Sequence, residues 1–183
     1  MARGIPIHKL ALTDQPLRAS APVLTVRWNE LIAWAEPMRD PENVSDLHDM
    51  RIAAKRLRYT LEIFAPVLPE SSADVLRTVA EIQERIGAIH DCDVLFPLLH
   101  DTVAREMKRE RKKLGRQDAS SGPPPFLAAE GLVALMSRKR AERQARFDDF
   151  LTWWDTLPPA ALGESIEKLL ETAPETVEHT SGS

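Results

Sequence analysis

A single cysteine, Cys92, occurs in the chain, so no internal disulfide can staple the fold and a reducing compartment suits it. Glycine is scarce at seven residues and aromatics make up 5%, which leaves little of the turn and strand material of an all-β protein. No apolar run approaches the roughly 18–20 residues that a membrane span requires. Nor does a continuous apolar segment follow Arg3 as it would in a secretory leader, so a soluble cytoplasmic protein is the expectation. Positive charge is not in excess either. The net charge is -4, which argues against a globally basic nucleic-acid binder and means that any cationic surface must be concentrated locally. The chain also lacks a glycine-rich phosphate loop and a GxSxG elbow, so nothing points to nucleotide hydrolysis or to a serine nucleophile.

What remains is helix-forming material. Leu, Ala, Glu and Arg abound, and 43% apolar residues in 183 can fill one core. Residues 1–21 read as an irregular lead broken by Pro6, Pro16 and Pro22. Residues 22–160 read as a helical domain. Its first helix, 23–36, buries Leu24, Leu31 and Trp34 with Trp28 and stops at Pro37. Asp40-Pro41-Glu42 reads as the cap of a second helix that runs to about Pro66. A third, capped by Ser71 or Ser72, carries Val75, Val79, Ile82, Ile86 and Ile89 at alternating steps of four and three and continues through Pro97 to about Leu114. Its end, REMKRERKKLGR, is charged on nearly every side and reads either as a solvated helix end or as an extra cationic arm for a polyanion. A polar connection at 117–125 leads to a fourth helix, 126–157, with Leu127, Leu132, Leu135, Met136, Phe147, Phe150, Leu151 and Trp154 on its buried side. Residues 161–183 read as a short helix and a disordered acidic tail. Four helices with short links predict an all-α, up-down four-helix bundle.

The stretch that organises the chain is LHDMRIAAKRLRYTLEIF, residues 47–64. At about 100° per residue, Leu47, Met50, Ala53, Ala54, Leu57, Leu61 and Phe64 share one face. His48, Arg51, Lys55, Arg58 and Tyr59 share the other, with Arg56 beside them and Asp49 as the one interruption. The order i, i+3, i+7, i+10 stacks the basic side chains along one line. Partners for them are not expected on their own helix, so the stacked charges should repel unless an anion covers them.

Two motifs carry a family resemblance. HxxRxxxKRxRY at 48–59 and QxxxGxxHDxDV at 83–94 resemble the CHAD family of all-helical domains, and the arginine-rich RKRAERQARFDDFLTWW at 138–154 is more weakly similar. The resemblance implies one half of a CHAD domain and non-catalytic binding of inorganic polyphosphate, with no metal or cofactor. It implies a site made of His48, Arg51, Lys55, Arg56, Arg58 and Tyr59, faced by Gln83 and His90 across an anion groove. Lys139, Arg143 and Arg146, spaced by four and three on the last helix, would add further cations. Association with polyphosphate granules is inherited from the same likeness. Family members commonly carry two four-helix halves, whereas the full motif occurs once here. A two-fold homodimer would supply the second basic helix, and Trp28 or Trp153 could instead pair copies elsewhere.

Three other readings compete. His48, His90-Asp91 and Asp148 or Asp149 loosely resemble the ligand set of helical metal-dependent phosphohydrolases, but Arg51, Lys55 and Arg58 would repel a cation there. The ExExK strand pattern of the triphosphate tunnel enzymes that accompany CHAD domains is missing. Nucleic acid would also be drawn to a cationic groove, but Tyr59 is the one aromatic available there for base stacking. A structural reading would tie Arg51 and Arg58 to Asp91 or Asp93 of another helix.

Overall fold

A computed structural model describes residues 16–114, 127–157 and 159–171. The expected lead before residue 16, the 117–125 connection and the acidic tail beyond 171 lie outside the described residues. Five α-helices follow in order: α1 (Pro16–Ile32), α2 (Val44–Phe64), α3 (Ser72–Leu114), α4 (Leu127–Thr156) and α5 (Pro159–Glu171). One 3₁₀ turn, Pro37–Arg39, precedes α2. The protein is all-helical, with no strand among the described residues. No helix among them is long and apolar enough to cross a membrane.

The chain forms two compact units. The first holds α1, α2, the start of α3 up to Glu84, the end of α4 from Trp153, and α5. The second, Arg85–Thr152, holds the rest of α3 and α4.

In the first unit α2 packs on α1 and on the 3₁₀ turn, whose Met38 is fully buried. Leu24 and Leu31 of α1 meet the expected apolar stripe of α2, in which Leu47, Met50, Ala53, Ala54, Leu57 and Leu61 are all buried. Phe64, at the frayed end, is only half-buried. Helix α1 starts earlier than its prolines suggest, at Pro16, and carries Pro22 inside. Proline removes one backbone donor, and the burial of Val23 and Leu24 directly after it shows packing outweighing that loss. Trp28 is half-buried beside α5. A Cβ added at Gly163 of α5 would lie 3.3 Å from its indole Nε1, so glycine there permits a close approach of the two helices.

The start of α2 also departs from expectation. Asn43, not the Asp40-Pro41-Glu42 signal, is the cap: its side-chain oxygen accepts from the backbone N–H of Asp46 at 3.3 Å. Asp40 instead accepts from the N–H of Glu42 at 2.9 Å, turning the chain one step earlier. Asn43→Ala should therefore lower stability by about 1 kcal/mol. Urea unfolding checks this by a lower midpoint at unchanged slope; an unmoved midpoint would assign the helix start to the Asp40 turn.

In the second unit Ile86, Ile89, Cys92 and Leu99 of α3 and Phe147 and Phe150 of α4 are buried. The expected seam of α3 holds throughout, with Val75, Val79 and Ile82 buried in the first unit. Pro97 is accommodated without ending the helix. The buried side of α4 is shorter than its apolar content suggests, because Leu132, Leu135 and Met136 are half-buried and Val133 is exposed.

Candidate functional site

Helix α2 presents its basic side chains opposite the stripe that fixes it to α1. The rise from Arg51 to Arg58 is about 10 Å at 1.5 Å per residue, so Arg51, Lys55 and Arg58 form a ladder one turn apart. All three are half-buried. Their stems therefore lie along the protein. The interrupting Asp49 is buried and interacts within the fold.

The members of this ladder are not equivalent. Arg58 does have a partner on its own helix: Nε donates to Glu62 Oε1 at 2.8 Å, four residues on. The expectation of no such partner fails here because Glu62 falls one turn below Arg58 and is long enough to reach back. Lys55 Nζ stands 5.5 Å from the ring centroid of Tyr59, which holds the ammonium over an aromatic face and leaves it open to an anion. Tyr59 itself is exposed. His48 and Arg56 each interact within the fold.

Arg51 differs from both. Its Nε is buried and has no hydrogen-bond acceptor. Leaving a buried donor of a charged group unmet costs about 1–3 kcal/mol, a loss that an incoming anionic oxygen would reverse. Gln83, in the same unit at the start of α3, has a buried Oε1 that likewise lacks a partner. Each is a residue singled out by its motif, and each keeps an unused polar atom below the surface. His90, in the second unit, is half-buried and interacts within the fold.

Lys139, Arg143 and Arg146 of α4, expected to add cations to the groove, are each committed to a carboxylate. Arg143 is buried and donates through Nε to Asp93 Oδ1 at 2.5 Å and through Nη2 to Asp93 Oδ2 at 3.5 Å. Its guanidinium carbon lies 5.9 Å from the ring centroid of Phe147. This arginine ties α4 to α3 rather than facing outward as a free cation. Asp93 is thus occupied by Arg143 of α4. Lys139 and Arg146 both reach Glu142, each at 2.7 Å, and their hydrogen bonds hold its carboxyl below the usual carboxylate range. Burial, reinforced by Glu142, raises the Cys92 thiol. Among the described residues no three His, Cys, Asp or Glu side chains gather in a metal-binding group.

The fold and this face define an all-helical protein that displays a ladder of cations on one helix. A family model described as the CHAD domain matches residues 7–100, about half of the chain, and the protein belongs to that family. The matched part is a partial copy of the domain. No curated protein and no solved structure matches the chain.

The sequence thus shows the cation ladder of α2 but not the rank of its members. Glu62 was the readable signal for Arg58, four residues away. Nothing in the spacing of Arg51 distinguishes it from Arg58; burial alone does.

Proposed function

We propose that this protein binds inorganic polyphosphate on the cationic face of α2 and does not change it chemically. The CHAD domain is associated with polyphosphate binding in general, which sets the ligand class. The observation that carries the reading is the buried Nε of Arg51, a charged donor without an acceptor at the first rung of the ladder. Lys55 offers a second charge one turn away, held over Tyr59 but not neutralised by it. Successive phosphoryl oxygens repeat every few ångströms, so one flexible chain can meet both residues in turn. The same reading takes the helices as an up-down bundle in which Gln83 faces the anion. It also includes a two-fold homodimer that brings a second α2 face to the ligand without new sequence.

The test is a titration of the protein with long-chain polyphosphate at near-physiological salt, beside single-stranded RNA matched in total charge. Tighter binding of polyphosphate is expected, since RNA gains its advantage from stacking platforms and Tyr59 is the one aromatic on this face. Equal or tighter binding of RNA would reject the ligand class. Phosphate released from the chain in the presence of magnesium or manganese would reject the non-catalytic role.

A further inference from the structure

Opposite its buried seam, α3 carries a second repeat that neither the core nor the α2 face uses. Asp91, Leu98 and Arg105 follow one another at steps of seven, with Val94 and Asp101 three residues after the first two. Such spacing keeps side chains on one line of a helix. All five lie in the second unit and are exposed, Leu98 by 60% and Val94 by 51%. Ile86, Ile89, Cys92 and Leu99, on the other side of the same helix, are buried. The line is thus acidic at Asp91, apolar through Val94 and Leu98, and basic at Arg105. Asp101 is the one member out of sign, and its carboxylate lies 3.6 Å from His100 Nδ1.

A solvated helix face usually balances its charges three or four residues away. Asp91 has Gly87, Ala88, Val94 and Leu95 at those positions, so no cation can meet it there. Arg105 has Asp101 four residues back but spends its donors on neutral oxygens. Its Nε donates to the Asp101 backbone carbonyl and its Nη2 to the Thr102 hydroxyl, each at 3.2 Å. Neither Asp91 nor Arg105 has an ion-pair partner among the described residues. The sequence carries the same order of charge one step of seven further each way, with Glu84 before Asp91 and Lys112 after Arg105.

We propose that this line of α3 is the surface on which a second copy of the chain docks, the two α3 helices running antiparallel across a two-fold axis at Leu98. Residues equally far from Leu98 in opposite directions then meet. Leu98 covers its symmetry mate, and Asp91, seven residues before, meets Arg105, seven residues after, twice. The same line in parallel would set Asp91 on Asp91 and Arg105 on Arg105, which the repulsion of like charges disfavours. An order of charge that matches its own reverse is what a two-fold contact requires of one surface, and an unrelated partner requires no such symmetry. The apolar pair gains cover and the charge pairs fix the register. No residue of α2 takes part and no ligand is needed, so the surface holds or fails apart from polyphosphate binding.

Sedimentation equilibrium of the full chain without polyphosphate is the test. The wild type should form a concentration-dependent dimer. Asp91→Arg should weaken it at least about tenfold by setting arginine against Arg105 twice, and Arg105→Asp should do the same with aspartates. An equimolar mixture of these two variants should dimerise again, because every charge contact in the mixed dimer pairs an arginine with an aspartate. That rescue also shows that both variants are folded. Leu98→Glu should give a monomer with the helical circular dichroism of the wild type, since the position is exposed and glutamate is a good helix former. A wild type that stays monomeric throughout overturns the surface, as does a dimer that Leu98→Glu leaves intact. A mixture that stays monomeric overturns the antiparallel register.

Discussion

Arg143→Ala should destabilise the protein by about 3–5 kcal/mol, the cost of leaving one partner of a buried ion pair uncompensated. The carboxylate left behind is Asp93, whose side chain is only 8% exposed and cannot be rescued by water without opening the interface between α3 and α4. Phe147 would also lose the guanidinium 5.9 Å from its ring. Replacing both partners tells a different story. Arg143→Met with Asp93→Leu removes two charges that were costly to bury and fills their space with apolar atoms, so stability should return to near that of the wild type. Urea unfolding of the two single variants and the double variant measures the coupling directly. A cost below about 1 kcal/mol for Arg143→Ala, together with weaker polyphosphate binding, would return this arginine to the ligand site.

The second large effect is on binding. Arg51→Ala should weaken polyphosphate binding by about 1.5–3 kcal/mol, or roughly tenfold to more than a hundredfold, because a charge-assisted hydrogen bond is lost from a partly desolvated position. Stability should move the other way or not at all, since the variant removes a buried donor that has no acceptor in the free protein. Arg58→Ala should cost less, about 1 kcal/mol or under, because its guanidinium already shares its charge with Glu62 and the pair is partly exposed. The expected order is Arg51, then Lys55, then Arg58. Isothermal titration of the three folded variants tests it, and an Arg58 effect exceeding that of Arg51 would contradict the role given to the buried Nε.

Much of the fold was legible because the apolar residues keep a strict period. Leu47 to Leu61 and Val75 to Ile89 were assigned to the core from spacing alone, and the structure buries them. Helix starts were harder to read. Asp40 and Asn43 are both good caps, and only the turn closed by Asp40 on Glu42 decides that Asn43 takes the helix. Helix α4 misled for another reason: its leucines suggest a continuous apolar side, but Leu132, Leu135 and Met136 remain half-buried because burial depends on what the helix meets as well as on its own pattern. At the site, the cation ladder was visible in sequence. The long-range pairing of Arg143 with Asp93, fifty residues away, was not, because like-spaced arginines on α2 and α4 look the same until a facing helix supplies a carboxylate. The basic end of α3 was visible in the sequence as charge.

The central claim is that Arg51 holds the anion, and the side-chain Nε–H resonance of Arg51, assigned with an Arg51→Lys variant, reports on it most directly. Addition of polyphosphate should shift this resonance and slow its exchange with water as the donor gains an acceptor, with the amides of α2 around Lys55 moving at the same ligand concentration. Polyphosphate that binds while the Arg51 Nε–H signal stays fixed, with shifts confined to α4 or to the outer end of α3, would contradict it.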